Sequence, residues 1–304
     1  MPIIVVVGQT ATGKSDIAVR LAKDLEGEIV SADSRQVYKE FNLTSGKISK
    51  EEMQGVKHHL LDVLSVKTRI FDAADFKKRA QKALLQIHKK RKLPIIAGGT
   101  AFYIDVLLDR VKLEPYEKDA KLRSCLDKRS KEELFAELLK LNKEKAAKID
   151  KNNKRRLIRA LEIEIQKKRD SRTEIPLEDE EIKFCPVWIG LRWDKETLRY
   201  RIKKRLFDRY KKGMCKEVKH ALECGVSKKR IESLGLEFKY CLYLIEGKLT
   251  EKEFLETLEN KIWQFAKRQA TYWKKNKDIK WFSPSDYEKI LQYTKKQLKN
   301  CDLF

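Results

Sequence analysis

The segment Gly8-Gln9-Thr10-Ala11-Thr12-Gly13-Lys14-Ser15 lies between an apolar run, Ile3 to Val7, and an amphipathic helical pattern. Glycines at both ends allow the backbone to curl so that its N–H groups point toward an anion. Lys14 can then reach over a phosphate, and the Ser15 hydroxyl can bind Mg²⁺. The segment predicts a strand, a phosphate-binding loop and a helix in that order, but it does not indicate which phosphorylated molecule is bound.

Two more apolar runs, Glu28 to Ala32 and Leu93 to Ala97, alternate with amphipathic stretches in the first third of the chain. This alternation predicts an α/β fold, with a parallel sheet covered by helices around a P-loop NTPase-like core. Ligand-binding groups gather at the carboxyl ends of such strands. We therefore expect three loops to converge: the phosphate-binding loop, Asp33-Ser34-Arg35-Gln36, and Gly98-Gly99-Thr100.

Asp33 is the candidate carboxylate beside the phosphates, since it ends the second predicted strand. The third strand ends in Ala97-Gly98-Gly99, where an ATP-hydrolysing enzyme would carry an acid for its metal and its water. Asp33 could cap a helix over Arg35 to Lys39, act as a base, or do both.

His58 and His59 are predicted to lie in a loop. Adjacent histidines point in different directions, so packing or loop fixing is favoured over a shared metal.

From about Pro115 to Phe184 the pattern is helical and heavily charged. A capping box at Ser130 to Glu133 opens one helix, and Asn152 or Asn153 can cap another over Lys154 to Lys167. A loop is predicted over Leu177 to Glu181, and a strand pattern resumes at Phe184. The predicted domains are an α/β core at residues 1–114 and 185–304 and an all-helical insertion at residues 115–184.

The remaining helices are rich in cations. From Arg199 to Arg230 cations outnumber acids thirteen to three, on a helix predicted to kink at Gly213. The stretch Ile262 to Trp273 interleaves aromatic and basic residues, which suits either a plain amphipathic helix or a nucleic-acid contact.

The formal net charge of +23, from 69 Lys+Arg against 46 Asp+Glu, favours a polyanionic partner. The six cysteines form no C-x-x-C pair, so we expect reduced thiols. Neither a membrane span nor a signal peptide is predicted, which makes the cytoplasm the expected location.

Six motifs in order resemble the bacterial tRNA dimethylallyltransferase family along nearly the whole chain. They are GQTATGKS at 8–15, SADSRQVY at 31–38, HHLLD at 58–62, AGGTAFYI at 97–104, KRRLIRALE at 154–162 and AKRQATYW at 266–273. The resemblance implies transfer of a dimethylallyl group from dimethylallyl diphosphate to the exocyclic amine of adenosine 37 in the tRNA anticodon loop.

The resemblance also implies roles for individual residues. Asp33 would be the catalytic base, Lys14 and Thr100 would complete the catalytic group, and Ser15 would bind Mg²⁺ as the cofactor metal. Residues Gly8 to Ser15 would hold the diphosphate rather than ATP, in a protein expected to be a monomer. The implied tRNA contacts are Asp33, Ser34, Arg35, Gln36, Thr100, Arg123, Asn153, Lys154, Arg155, Arg156, Leu157, Lys267, Arg268, Gln269 and Trp273.

One stretch departs from the family pattern. Family members carry Gly-Tyr-Arg, whose arginine approaches the diphosphate, whereas this chain reads Leu234-Gly235-Leu236-Glu237-Phe238-Lys239. Lys239 falls at the arginine position, and Glu237 falls where glycine is expected. Lysine keeps the charge but lacks the bidentate fork of arginine. Either Lys239 binds the diphosphate as a point charge, or an arginine elsewhere in the chain, such as Arg205, replaces it.

Two other functions fit part of the pattern. A P-loop small-molecule kinase would share the phosphate-binding loop and an acid after the second strand, although such kinases are usually shorter and less basic. A non-catalytic RNA-binding protein would use Asp33 only as a cap.

Overall fold

The computed structural model describes residues 1–169 and 182–301. They form two compact units: a core unit, residues 1–111 and 182–301, and a helical unit, residues 112–169. The loop predicted over residues 177–181 lies outside the described residues.

The core unit is built on one six-stranded sheet in which every pairing is parallel. Its strands are β1 (Pro2–Gly8), β2 (Gly27–Ser31), β3 (His58–His59), β4 (Leu93–Ala97), β5 (Cys185–Leu191) and β6 (Lys280–Phe282). The strand order is β3-β2-β4-β1-β5-β6. The prediction of a parallel α/β sheet is confirmed.

Helices cover this sheet and form the whole of the helical unit. In chain order they are α1 (Lys14–Asp24), α2 (Lys50–Met53), α3 (Ala73–Lys89), α4 (Ala101–Leu107), α5 (Ala120–Asp127), α6 (Lys131–Leu141), α7 (Lys143–Lys148), α8 (Lys154–Arg169), α9 (Lys195–Lys211), α10 (Met214–Glu223), α11 (Lys228–Leu234), α12 (Leu236–Ile245), α13 (Glu251–Trp273) and α14 (Tyr287–Cys301). The helical unit contains α5 to α8.

Strand β1 lies in the interior of the sheet, and its side chains are apolar on both faces. Residues 3–7 are fully buried, which is typical of a parallel strand covered by helices on both sides. Ile17 and Leu21 of α1 join the same core. The register pairs Val6 with Ala97, Ser31 with Ala97 and Gly8 with Leu191. The carboxyl ends of β1, β2, β4 and β5 are therefore level, and the loops that follow them start at one edge.

The helical unit has its own small apolar core, which includes Leu126, Leu134, Leu138 and Leu157. The capping box predicted at Ser130 is confirmed, since the Ser130 and Glu133 side chains each bond the other's backbone N–H. Among the described residues, no helix is both long enough and apolar enough to cross a membrane.

The structure corrects several predictions about secondary structure. His58 and His59 form edge strand β3 rather than a loop, and β6 was not predicted because it is only three residues long. Gly213 does not kink one helix but separates two: α9 ends before it, and with φ of 98° it is the N-cap of α10. The histidines bond neighbours within the fold, His59 to Glu28 and His58 to the Val56 carbonyl oxygen.

The prediction of six reduced cysteines is also wrong. Cys185, at the start of β5, forms a disulfide with Cys301, at the end of α14. The two residues are 116 positions apart, so only the fold brings them together. The other four cysteines are free.

We expect Gly98→Ala to lower the free energy of unfolding by about 1–3 kcal/mol or more, the usual cost of overpacking. A Cβ at Gly98 would lie 2.2 Å from the Ala32 carbonyl oxygen, which already accepts a hydrogen bond from the Thr100 N–H. Denaturant unfolding measures the change. The matched control is Gly99→Ala, whose Cβ would meet side-chain atoms at 3.3 and 3.7 Å. Equal losses in the two variants would contradict this account of the packing.

Candidate active site

The phosphate-binding loop has the curled backbone that its glycines predict. The φ angles are 148° at Gly8, 62° at Ala11 and 89° at Gly13. A Cβ at Gly8 would lie 2.5 Å from the Leu191 carbonyl oxygen, so no larger residue fits there. The Thr12 hydroxyl donates to the Gln9 carbonyl oxygen at 2.8 Å and closes the loop. This cradle matches the geometry that binds phosphate.

Lys14 reaches back across the loop. Its ammonium donates to the Gln9 carbonyl oxygen at 2.7 Å. Burial and, to a smaller extent, the positive charge of Arg205 lower the pKa of Lys14 to about 7, while the charge of Asp33 opposes the shift. The site therefore holds a lysine that an incoming anion would stabilise in its charged form.

Arginines of α9 bond the phosphate-binding loop and the turn at residues 43–46. Arg201 Nε donates to the Ala11 carbonyl oxygen at 2.9 Å, and its guanidinium lies 5.3 Å from the Trp193 ring centre. Arg205 Nη2 donates to the Gly46 carbonyl oxygen at 3.2 Å. Burial and the neighbouring Arg209 lower the pKa of Arg205 to about 10. The structure thus adds a row of cations to the predicted site.

The Lys239 side chain lies beside an aromatic ring of its own helix. Its ammonium lies 5.3 Å from the centre of the Tyr243 ring, one turn further along α12. Arg205 is the cation whose charge acts on Lys14.

The Asp33 loop meets the loop after β4, as the converging-loop prediction expects. Thr100 Oγ1 accepts a hydrogen bond from the Ser34 N–H at 3.1 Å, and the Thr100 N–H donates to the Ala32 carbonyl oxygen at 3.0 Å. A Cβ at Gly99 would lie 3.7 Å from Asp33 Oδ2. The Asp33 carboxylate therefore faces the double glycine beside the phosphate-binding loop.

The helix that Asp33 could have capped, over Arg35 to Lys39, does not form. The chain turns there, and Asp33 Oδ1 accepts a hydrogen bond from the Arg35 N–H at 2.8 Å. Asp33 thus fixes a turn rather than capping a helix. In the same turn, Gln36 Nε2 donates to the Gly46 carbonyl oxygen at 3.2 Å.

Gln269 of α13 joins two of these loops. Its Oε1 accepts from the Thr10 N–H at 2.8 Å, and its Nε2 donates to the Gly99 carbonyl oxygen at 3.0 Å. Gln9 Nε2 also donates to the Ala266 carbonyl oxygen at 3.1 Å. Helix α13 therefore supports the phosphate-binding loop from one side.

Three of the residues predicted to contact tRNA have buried side chains. The exposed fraction is 5% for Gln269, 1% for Trp273 and 0% for Leu157. The Gln269 carboxamide is hydrogen-bonded to the two loops. Trp273 packs against Trp188, and Leu157 lies in the core of the helical unit. Each of these side chains therefore has a structural role within the fold.

The other predicted tRNA contacts are at least partly accessible. In the core unit, Lys267 and Arg268 are exposed on α13. In the helical unit, Arg155 and Arg156 are exposed on α8, and the Arg156 N–H donates to Asn153 Oδ1 at 3.2 Å. Two further residues of that unit have intramolecular partners as well: Arg123 forms a bidentate pair with buried Glu162, and Lys154 Nζ donates to the Asp127 carbonyl oxygen.

The fit of Mg²⁺ can be judged from the oxygen atoms present. Ser15 is exposed at the first turn of α1, and the described residues contain no group of three or more His, Cys, Asp or Glu side chains that could hold a metal ion. Mg²⁺ commonly binds one or two protein oxygens and takes its other ligands from phosphate and water. The Ser15 hydroxyl fits an ion of that kind.

Sequence reasoning missed most of the α9 contribution. Arg201, Arg205 and Arg209 recur every four residues and so share one face of the helix. That spacing was visible in the sequence, but it does not say which loop the face meets.

The sequence matches the family described as IPP transferase over residues 36–276. The chain belongs to the IPP transferase family. A tRNA dimethylallyltransferase 2 of Treponema denticola is 41% identical over 273 residues, which span 90% of this chain and 91% of that protein. A tRNA dimethylallyltransferase of Clostridioides difficile is 36% identical over 296 residues, spanning 95% and 94%.

The fold agrees with this family. The crystal structure of the full-length tRNA isopentenylpyrophosphate transferase from Bacillus halodurans has a TM-score of 0.73 and 30% identity, covering 98% of this chain and 97% of that one. The core unit is therefore the P-loop NTPase-like sheet of these transferases.

We expect binding of dimethylallyl diphosphate at pH 8 to take up close to one proton per site. Because the pKa of Lys14 is lowered to about 7, the free lysine is mostly neutral at pH 8, and the bound anion favours its charged form. Calorimetry in buffers of different ionisation enthalpy measures the uptake. Lys14→Arg is the control, since its guanidinium stays charged and should bind without proton uptake. Equal uptake by the two proteins would contradict the assignment.

Proposed function

We propose that this chain transfers a dimethylallyl group from dimethylallyl diphosphate to the exocyclic amine of adenosine 37 in tRNA. The observation that carries the proposal is the pairing of a phosphate-binding loop with Asp33, while β4 ends in Gly98-Gly99 without an acid. Such a site can bind a diphosphate and accept a proton, but it lacks the acid that hydrolytic enzymes use at that strand.

Asp33 is proposed as the base. The adenine amine is a weak nucleophile because its lone pair is delocalised into the ring. As nitrogen attacks the allylic carbon, the new C–N bond forms, the carbon–oxygen bond breaks, and its electron pair stays on the diphosphate. The proton lost by the nitrogen passes to the Asp33 carboxylate.

The phosphate-binding loop and its cations stabilise the leaving diphosphate. Lys14 can exchange the Gln9 carbonyl oxygen for a phosphate oxygen, and Arg205 adds a second charge beside it. When bound at the Ser15 hydroxyl, Mg²⁺ would neutralise further phosphate charge. Arg205 takes the role that the family pattern gives to an arginine of the Gly-Tyr-Arg stretch.

Thr100 is proposed to hold the base in place. Its hydroxyl accepts a hydrogen bond from the Ser34 N–H, next to Asp33. Thr100 also immediately precedes α4, and from this position its hydroxyl can reach the adenine or the diphosphate.

The tRNA is proposed to bind through exposed cations. Arg268 and Lys267 lie on α13 beside the phosphate-binding loop, and Arg155 and Arg156 lie on α8 of the helical unit. The target adenine must leave the stacked anticodon loop, which costs a few kcal/mol and requires contacts to the backbone around it. We assign the reaction to a monomer in the cytoplasm.

The proposal is tested by incubating the protein with unmodified tRNA and either labelled dimethylallyl diphosphate or ATP. We expect label to enter tRNA from the prenyl donor, with no ATP turnover. ATP turnover without prenyl transfer would favour the kinase alternative, and RNA binding without either reaction would favour a non-catalytic protein.

We expect Asp33→Asn to slow single-turnover prenyl transfer by about a hundredfold or more, the scale of a lost general base. The amide keeps the shape of the side chain but cannot accept the proton. Affinity for tRNA should change little. Asp286→Asn, which alters a carboxylate preceding α14, is the control. An unchanged transfer rate in Asp33→Asn would remove Asp33 from the chemistry.

We expect Arg268→Ala and Arg156→Ala each to weaken tRNA binding and to reduce the salt dependence of the affinity, by roughly one counterion per lost phosphate contact. A filter-binding titration over salt concentration measures the slope. Arg79→Ala, an exposed arginine of α3, is the control and should leave the slope unchanged. If all three variants give the wild-type slope, α8 and α13 are ordinary solvated faces.

A further inference from the structure

Glu237 lies in the first turn of α12, where the family pattern leads us to expect glycine. A carboxylate near a diphosphate site is unexpected, because it repels the ligand. Its surroundings show what it contacts instead.

The Glu237 carboxylate forms an ion pair with Arg209. Glu237 Oε1 lies 3.7 Å from Arg209 Nη1, and the two side chains are 27% and 12% exposed. Arg209 also donates from Nε to the Leu43 carbonyl oxygen at 2.5 Å and from Nη2 to the Thr44 carbonyl oxygen. The guanidinium is therefore held on both sides, by a carboxylate and by the backbone of the 43–44 turn.

Arg205 lies directly beside this pair. A Cβ at Gly46 would meet Arg205 Nη2 and lie 3.4 Å from Arg209 Cζ, so both guanidinium groups converge on Gly46. Two like charges this close repel each other, and Arg209 is the largest charge effect opposing the charged form of Arg205. Glu237 is the first of the acids that offset this repulsion, and it acts on Arg35 as well.

Arg205 also acts on Lys14, since its positive charge lowers the pKa of that lysine. A cation that must meet a leaving group is most effective when it is fixed before the reaction, since no reorganisation is then needed. Without a nearby carboxylate, only backbone carbonyl oxygens would hold Arg205 and Arg209 against their mutual repulsion while the site is empty.

We infer that Glu237 is a positioning residue that holds the Arg205 and Arg209 guanidinium groups together at the diphosphate end of the site. The inference rests on the proposed prenyl transfer, and it explains why an acid is present where the family pattern has none. Glu237 acts through the arginines and need not touch the substrate.

The test is Glu237→Gln, which keeps the size of the side chain and removes its charge. We expect kcat for prenyl transfer to fall about tenfold, with KM for dimethylallyl diphosphate within about twofold of wild type. An interaction that matters mainly in the transition state lowers kcat and kcat/KM together. Glu237→Asp, which retains the charge, should recover most of the lost rate.

Three measurements keep the outcome clear. Glu232→Gln, an exposed glutamate of α11, is the matched control and should behave as wild type. Thermal unfolding shows whether each variant is folded at the assay temperature. In an Arg205→Met background, Glu237→Gln should cost much less than tenfold, because the group that it positions is gone.

Two results would overturn the inference. If Glu237→Gln lowers KM and leaves kcat unchanged, Glu237 only reduces the positive charge of the site. If Glu237→Asp loses as much activity as Glu237→Gln in folded protein, the charge is not what matters. Failure of the wild type to transfer the prenyl group would instead refute the proposed function.

Discussion

The site depends on the hydrogen bonds that the buried carboxamide of Gln269 makes to two loops. It bonds the Thr10 N–H in the loop after β1 and the Gly99 carbonyl oxygen in the loop after β4. A glutamine has both a donor and an acceptor at its end, so one side chain can satisfy two backbone groups of opposite kind. Asp33 lies against the same double glycine. This side chain of α13 therefore ties the phosphate-binding loop to the double glycine that the proposed base faces.

The positively charged side chains around the phosphate-binding loop suit an anionic ligand. Lys14 and Arg205 are both desolvated, and a neighbouring arginine opposes the charged form of each: Arg205 acts on Lys14, and Arg209 acts on Arg205. The negative charges of Asp33 and Glu237 offset part of this repulsion. A bound diphosphate would complete the balance, and its departure as a leaving group would be favoured by cations already in place.

Sequence patterns predicted the parts of this site that are local in the chain. The phosphate-binding loop, the strands before it and after it, and the capping box at Ser130 depend on short spacings, so they could be read directly. The α9 arginines and Gln269 could not be placed, because their partners lie between about 160 and 260 residues away along the chain. The Cys185–Cys301 disulfide was missed for the same reason. Trp273 and Leu157, which the family motifs mark for RNA contact, have buried side chains, and a motif alone does not tell whether a residue packs or binds.

The central claim is that the loop at residues 8–15 holds a leaving diphosphate opposite Asp33. A crystal structure with a tRNA anticodon stem-loop and a non-transferable thiolodiphosphate analogue of the prenyl donor tests it most directly. We expect the loop N–H groups and Lys14 Nζ to bond the phosphate oxygens, with Asp33 about 3 Å from the exocyclic amine of the extruded adenine. A diphosphate bound away from the loop, or an amine facing away from Asp33, would contradict the account.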